Sequence, residues 1–230
     1  MKSVGPLTQK DLNKSILKIV NSASTSVELS ERVSRCRLCD IRKQSALIPG
    51  KGNMDADYFF VMSERDETAE GTSLFGVATW EFFVEALDQA GIELSNIWMS
   101  SAALCHPRVF PFAKAIKDSH INACKARLIR EIRLVNPRIV IALGTKAVKA
   151  CFAYVNPKPN LSNSEGKVLP ARVAGVVTDY DVPVLISQNP ILLCRFPDDT
   201  PTGNNAIFLR GLQKASTIVE KMREISEETT

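Results

Sequence analysis

The sequence predicts an α/β fold: a three-layer α/β/α sandwich built on a central four-stranded, mainly parallel sheet, with an N-terminal helical extension. Three observations lead there. Short apolar runs of strand length occur at 57–62, 96–100, 138–143 and 183–187, and continuous runs of this kind mark strands buried on both faces. Helical patterns separate the first three runs, and strands alternating with helices give a parallel sheet covered on both sides. The chain has 230 residues and is 45% hydrophobic, enough for one substantial core, while no apolar run reaches membrane-spanning length.

Taken in order, the chain opens with Thr8 and, three residues on, Asp11, a helix N-cap with its capping-box partner. Leu12, Ile16, Ile19 and Val20 then recur at helical spacing. Small polar residues at 21–26 read as a linker, so residues 1–26 are expected to form an N-terminal helix and linker and residues 27–230 one domain. A second helix from Val27 carries the chain toward Cys36. Pro49-Gly50-Lys51-Gly52 then turns it into the first strand. Trp80, Phe83, Val84 and Leu87 form the apolar face of a helix ending near Gly91. Ile121, Cys124, Leu128, Ile132 and Val135 line another that stops before Pro137. The third strand runs into Gly144-Thr145-Lys146, which lacks the glycine spacing of a phosphate loop and reads as a plain strand-to-helix turn. Residues 154–182, rich in Pro, Asn, Ser and Gly, read as an irregular excursion with room for a hairpin. A last helix starts near Asn205 with Ile207, Leu212, Ala215, Val219 and Met222 inward, and its Glu-rich final turn is expected to fray.

Six cysteines are present. Cys36 and Cys39 can hold one metal centre from a single turn, and Cys105 and Cys124 can supply two further ligands. The gaps of 2, 65 and 18 residues match neither the doubled knuckle of a structural zinc site nor the compact ferredoxin run. A cluster wrapped by distant segments fits them, iron–sulfur ahead of zinc, with buried free thiols as the alternative. Cys151 and Cys194 sit in apolar runs and read as small core residues. A disulfide framework is not expected, because the start of the chain lacks an apolar signal region and the core is of ordinary size; a reducing, cytoplasmic compartment is expected instead.

A net charge of +4 permits a nucleic-acid partner without requiring one. Arg32, Arg35, Arg37, Arg42 and Lys43 surround the first cysteine pair, and Lys114, Lys117, Lys125, Arg127, Arg130 and Arg133 crowd the helix around Cys124. Joining the four cysteines brings these basic segments together; ordinary solvated faces are the plainer reading.

Four segments share one further pattern: Cys36-Arg37-Leu38-Cys39; Gly71-Thr72-Ser73-Leu74-Phe75-Gly76; Cys105-His106-Pro107-Arg108 with Cys124 downstream; and Asn189-Pro190-Ile191-Leu192-Leu193-Cys194-Arg195. Their order, with 138–144 between the last two, resembles the uracil-DNA glycosylase superfamily, in particular its iron–sulfur branch, family four, from about Cys36 to Leu212. The resemblance implies a DNA partner and a 4Fe-4S cluster on Cys36, Cys39, Cys105 and Cys124, zinc being the alternative occupant. It also shows departures. Met62-Ser63-Glu64-Arg65-Asp66 replaces the family's Gly-Glu-Ala-Pro-Gly loop, leaving Glu64 one position from the family's acid, with Asp66, Glu67 and Glu70 close in sequence. Ser101 takes the place of the base-reading asparagine, and one hydroxyl does not reproduce the paired donor and acceptor of an amide. Leu74 falls on the stacking phenylalanine, with Phe75 beside it. Asn189 replaces the histidine of His-Pro-Ser; asparagine donates a hydrogen bond without carrying charge, and loss of such a donor costs about 3 kcal/mol. The mismatch-specific branch of the superfamily has Asn-Pro-Ser there. Leu192 and Leu193 match the wedge that enters the base stack, with core packing as the alternative, and Arg195 and Arg108 match residues that meet phosphate.

Two functions follow from the resemblance. In the first, this is an iron–sulfur DNA-binding protein of the glycosylase fold with lost or altered activity, a scaffolding or processivity subunit in replication or repair. Arg108, Arg127, Arg130 and Arg195 would face DNA, and the N-terminal helix would dock a replication or repair protein. In the second, an active base-excision glycosylase flips a damaged base into a pocket between Glu64, Phe75, Ser101 and Asn189, and water attacks the sugar. Departures at three catalytic motifs, against four retained cysteines, favour the first.

Overall fold

A computed structural model describes residues 25–41, 45–107, 116–152, 159–175 and 178–229; the helix expected at 8–20 lies outside them. The first described helix, α1 (Ser26–Ser34), is capped by Thr25, whose hydroxyl accepts from the Glu28 amide at 3.1 Å. A short ribbon pairs β1 (Ser45–Leu47) with β5 (Cys105–Pro107), antiparallel. The main sheet contains β2 (Lys51–Gly52), β3 (Tyr58–Met62), β4 (Ile97–Ser101), β6 (Ile139–Leu143), β7 (Val168–Gly175) and β8 (Thr178–Ser187), in the order β2-β4-β3-β6-β8-β7. Between the strands lie α2 (Val77–Gln89), α3 (Asp118–Val135), α4 (Thr145–Cys151) and the short α5 (Leu161–Ser164). After β8 come α6 (Pro190–Arg195) and the long α7 (Asn204–Glu228).

The sheet has six strands where four were expected. The four expected strands are its parallel centre, β4-β3-β6-β8, and the two additions are antiparallel edges. The edges were illegible for different reasons. β2 is two exposed residues with no apolar signal, and β7 falls within the Pro- and Gly-rich stretch read as an excursion, where pairing with an extended β8 supplies the order that local composition lacks.

Side chains alternate across the central strands. Phe59, Val61, Val140, Ala142, Val184 and Ile186 face α3 and α4, joining Ile121, Leu128, Ile132 and Val148. Tyr58, Phe60, Met62, Ile139, Ile141 and Leu143 face α2 and α7, joining Phe83, Leu87, Leu212 and Val219. Both faces are therefore buried, which is why these strands read as continuous apolar runs. Burial of this kind contributes about 1.5–3 kcal/mol per large side chain.

Two helix faces differ from expectation. Trp80 is 38% exposed while Phe83, Ala86 and Leu87 are buried, so the inward face of α2 is rotated away from the tryptophan. The last turn of α7, expected to fray, is helical to Glu228. Asp57 secures that helix at the N-terminal edge of the sheet, accepting from Arg138 Nε and Arg223 Nε at 2.9 Å each and from Asn96 Nδ2 at 3.1 Å. Arg138 in turn donates to the Met222 carbonyl at 3.0 Å. Among the described residues no helix is long and apolar enough to cross a membrane.

Candidate active site and cysteine centre

In a parallel sheet, chemistry gathers where the strands end at their carboxyl side. Here β3 leads to Ser63, β4 ends on Ser101, β6 leads to Gly144 and β8 leads to Asn189. Gly144 has φ +90°, and a Cβ on it would stand 2.6 Å from Ser63 Oγ and 3.1 Å from Asn189 Cβ, so the three strand ends touch only because position 144 has no side chain. Ser63 Oγ accepts from the backbone amides of Lys146 and Ala147 at 3.1 Å each. The hydroxyl thus caps α4 and fixes where Lys146 starts.

Lys146 meets Glu64, Nζ to Oε2 at 2.5 Å, with both side chains partly open to solvent. The sequence reading named Glu64 and gave Lys146 only a turn role. The loop after them is self-organised. Arg65 donates to the carbonyls of Ser73, Ala69 and Gly71 at 2.8, 2.6 and 3.0 Å. The buried carboxylate of Asp66 accepts from Thr79 Oγ1 at 2.5 Å, from Thr68 N and Oγ1 at 3.1 and 3.0 Å, and from Arg195 at 3.2 Å. Burial pushes the Asp66 carboxyl up, but the bonds from Thr79 and Thr68 outweigh it and hold the pKa below the ordinary carboxylate range. Asp66 is thus a fixed anion that joins this loop to α2 and α6. Its only trace in sequence is the Asp-x-Thr spacing of a side-chain turn.

The pocket residues are placed as follows. Leu74 and Phe75 are both buried in the core toward α2, the Phe75 ring lying 5.1 Å from Phe83 and 6.4 Å from Trp80 between centroids. The buried Ser101 hydroxyl donates to the Ala103 carbonyl at 2.7 Å. Asn189 caps α6, its Oδ1 accepting from the Ile191 amide at 3.2 Å, which leaves Nδ2 as the donor that faces away from the cap.

The four cysteines lie on three segments of the chain, the 36–39 stretch, β5 and α3. Cys36 packs with Leu29, Val33 and Leu104, and Leu104 immediately precedes Cys105. Cys39, Cys105 and Cys124 all adjoin the core on the α3 side of the sheet. His120, one turn ahead of Cys124 on α3, meets Asp40, the residue after Cys39, at 2.9 Å. Among the described residues no three His, Cys, Asp or Glu side chains stand at metal-ligand geometry, and no disulfide joins the cysteines. In donor chemistry alone, four thiols, two of them three positions apart, suit a thiophilic centre.

A family model described as the uracil DNA glycosylase superfamily matches residues 49–209. The chain belongs to that superfamily. Among curated proteins it is similar to the type-4 uracil-DNA glycosylase of Pyrobaculum aerophilum, 26% identical over 179 residues that cover 75% of this chain and 89% of the relative. The type-4 uracil-DNA glycosylase of Saccharolobus solfataricus is 25% identical over 166 residues, covering 70% of this chain and 74% of the relative. That of Thermotoga maritima is 28% identical over 125 residues, 52% and 62% of the two chains.

Within this superfamily chain, several DNA-facing expectations need correction. Arg127 is 4% exposed and cannot meet phosphate where it stands. It pairs with the equally buried Glu131 and donates to Ser100 Oγ at 2.8 Å and to the Ser101 carbonyl at 2.6 Å. One helical turn puts Arg127 on the α3 face that covers β4, which charge counting does not reveal. The expected wedge divides: Leu192 is 49% exposed and Leu193 only 3%, so Leu193 is a core residue. Arg195 reaches Asp66 and, at 3.6 Å, Glu67. Arg130 is half-buried on α3, and Arg108 lies outside the described residues. Two groups that sequence reasoning passed over, Lys146 and Phe196, stand on either side of Asn189 along the chain. Phe196 is 73% exposed.

Proposed function

We propose that this protein binds DNA through a uracil-DNA glycosylase fold whose hydrolytic centre has been lost or altered, and that it serves as a DNA-binding or scaffolding subunit in replication or repair. The observation that carries this is the internal commitment of all three polar groups at the motif positions. Ser101 donates to Ala103, Asn189 accepts from Ile191, and Glu64 is held by Lys146. A pyrimidine edge needs a donor and an acceptor side by side, and Ser101 has already spent its only hydrogen. The leaving base needs stabilisation of its developing charge, and Asn189 offers one neutral donor; loss of a charged donor here costs about 3 kcal/mol, or roughly 10²-fold in rate.

In this proposal Cys36, Cys39, Cys105 and Cys124 hold an iron–sulfur cluster, zinc being the alternative. Bound there, the cluster would act as a structural clasp between the 36–39 turn, β5 and α3, and hydrolysis asks no electron transfer of it. Leu192 is the wedge residue, and Arg108, Arg130 and Arg195 supply cationic contacts. The N-terminal segment read from sequence as a helix and linker, most of it outside the described residues, is the part proposed to engage a replication or repair protein.

A second reading, an active glycosylase, is favoured by one observation: the Glu64 carboxylate sits at the end of β3 with the Lys146 ammonium beside it. The lysine orients that carboxylate and brings positive charge to the strand end from which Asn189 projects. In that reading the nucleophile is water, the N-glycosidic bond breaks, and the base leaves as an anion that takes up a proton.

The test uses protein purified without oxygen. Iron and sulfide are measured first, then base release from uracil-containing single- and double-stranded DNA, with DNA affinity in parallel. The first reading expects iron, DNA binding and no release above that of a Glu64→Gln, Asn189→Ala variant. Release that this double variant abolishes, with affinity kept, establishes the second reading.

A further inference from the structure

On the sheet face covered by α2 and α7, an open groove of about 460 Å³ runs between these helices and α6. Its floor is apolar, formed by Phe82, Ala86, Leu193, Phe208 and Leu209, with Phe82 and Phe208 stacked at 5.9 Å between centroids. Its lining includes the carboxylates of Glu85 and Asp199 and no lysine or arginine. Glu81 and Asp88, both exposed, extend the acidic line along α2 by a turn on either side of Glu85.

Four large apolar side chains on α2, α6 and the α6 cap, helices that bound the groove, are exposed. Leu192 and Phe196 lie four residues apart on α6 and its cap, and Val77 and Trp80 stand on the first turn of α2. The two helices are joined through Asp66, which binds Thr79 on α2 and Arg195 on α6. An apolar groove open to solvent is a candidate interaction surface. The sign of the charge then selects the partner. An acidic rim repels a phosphate backbone and attracts cations, while an apolar floor between two helices suits the apolar stripe of a third.

We propose that this groove docks a basic amphipathic helix from a partner protein, at a site whose lining includes neither the strand ends nor Cys36, Cys39, Cys105 and Cys124. The apolar stripe would lie over Phe82, Phe208 and Leu209 and its lysines or arginines would reach Glu85 and Asp199. Such a surface lets the protein hold a partner while its other elements engage DNA.

The experiment is fluorescence anisotropy of the full chain with a labelled Leu/Lys amphipathic helix of about five turns, alongside a Leu/Glu helix of equal hydrophobicity. The Leu/Lys helix should bind, weaken as salt rises, and lose at least about tenfold in affinity in each of two variants, Glu85→Lys and Ala206→Arg. The first reverses the rim charge and the second fills the groove with a cation; both positions accept the change without disturbing the core, as unchanged circular dichroism and melting would verify. Equal binding of the Leu/Glu helix, or indifference to both substitutions, overturns the proposal. So does direct binding of labelled oligothymidine that Glu85→Lys and Ala206→Arg both weaken, which would make the groove a nucleic-acid surface. Self-association by light scattering that Phe196→Ser removes would overturn it in favour of a second copy.

Discussion

Replacing Arg127 with methionine tests the main correction to the DNA-binding surface. The guanidinium is buried against Glu131, Ser100 and the end of β4, and Glu131 also accepts from Trp98 Nε1 at 2.9 Å and Ser100 Oγ at 2.8 Å. Removing one member of a buried ion pair leaves the other charge without compensation, a cost of about 3–5 kcal/mol. In a chain of this length each kcal/mol lowers Tm by about 2–4 °C, so Arg127→Met should lower Tm by about 6–20 °C. Adding Glu131→Leu should recover part of that loss, because the stranded charge is gone, while Trp98 and Ser100 remain short of an acceptor. Thermal and urea unfolding by circular dichroism, with DNA affinity measured on the same samples, gives the answer. If Arg127→Met melts like the parent and selectively loses DNA, the guanidinium is a phosphate contact and the buried network described here is wrong.

Three further outcomes are expected. Burial pushes the Asp57 carboxyl up, but hydrogen bonds from Asn96 and Arg223 outweigh it and hold its pKa below the ordinary value. Its stabilisation is therefore complete above the unfolded pKa of about 3.9 and is lost as pH falls through the lower folded value. Asp57→Asn should cost at least about 2 kcal/mol at pH 7, and urea midpoints of variant and parent should converge below pH 4. Gly144→Ala places a Cβ at φ +90° and 2.6 Å from Ser63 Oγ; strain of about 1–3 kcal/mol should appear in urea unfolding, with DNA contacts that depend on Asn189 weakened. On the proposed cluster, Cys105→Ala should remove iron and destabilise the whole domain, since it would open a tie between β5, α3 and the 36–39 turn; a metal-free variant with the parent's melting curve would refute the clasp.

Much of the architecture was readable because it rests on local pattern. The runs at 58–62 and 139–143 are apolar at every position, and only a strand buried on both faces needs that. Gly91, Asn136 before Pro137, and Gly144 mark the helix boundaries because left-handed or close-approach backbone restricts which residues can stand there. The edge strands β2 and β7 were not readable, since their order comes from the neighbour they pair with. At the site, the family resemblance pointed to Glu64, Ser101 and Asn189 by position along the chain, but it carried no information about what each polar atom is bonded to.

The amino-acid sequence alone determined the parallel α/β core and the four cysteines, because periodicity and spacing are properties of the chain itself, and its resemblance to a known family pointed to the superfamily and to the departures from the catalytic motifs. Only the tertiary structure decided that Arg127 is an interior ion pair, that Leu193 belongs to the core while Leu192 faces solvent, that Lys146 holds Glu64, and that an acidic, apolar groove opens between α2, α6 and α7. Each of those depends on the rotation of a helix about its axis and on contacts between residues far apart in sequence. A rotation of about 100° per residue separates a side chain in water from one in the core, and packing alone sets where that rotation begins.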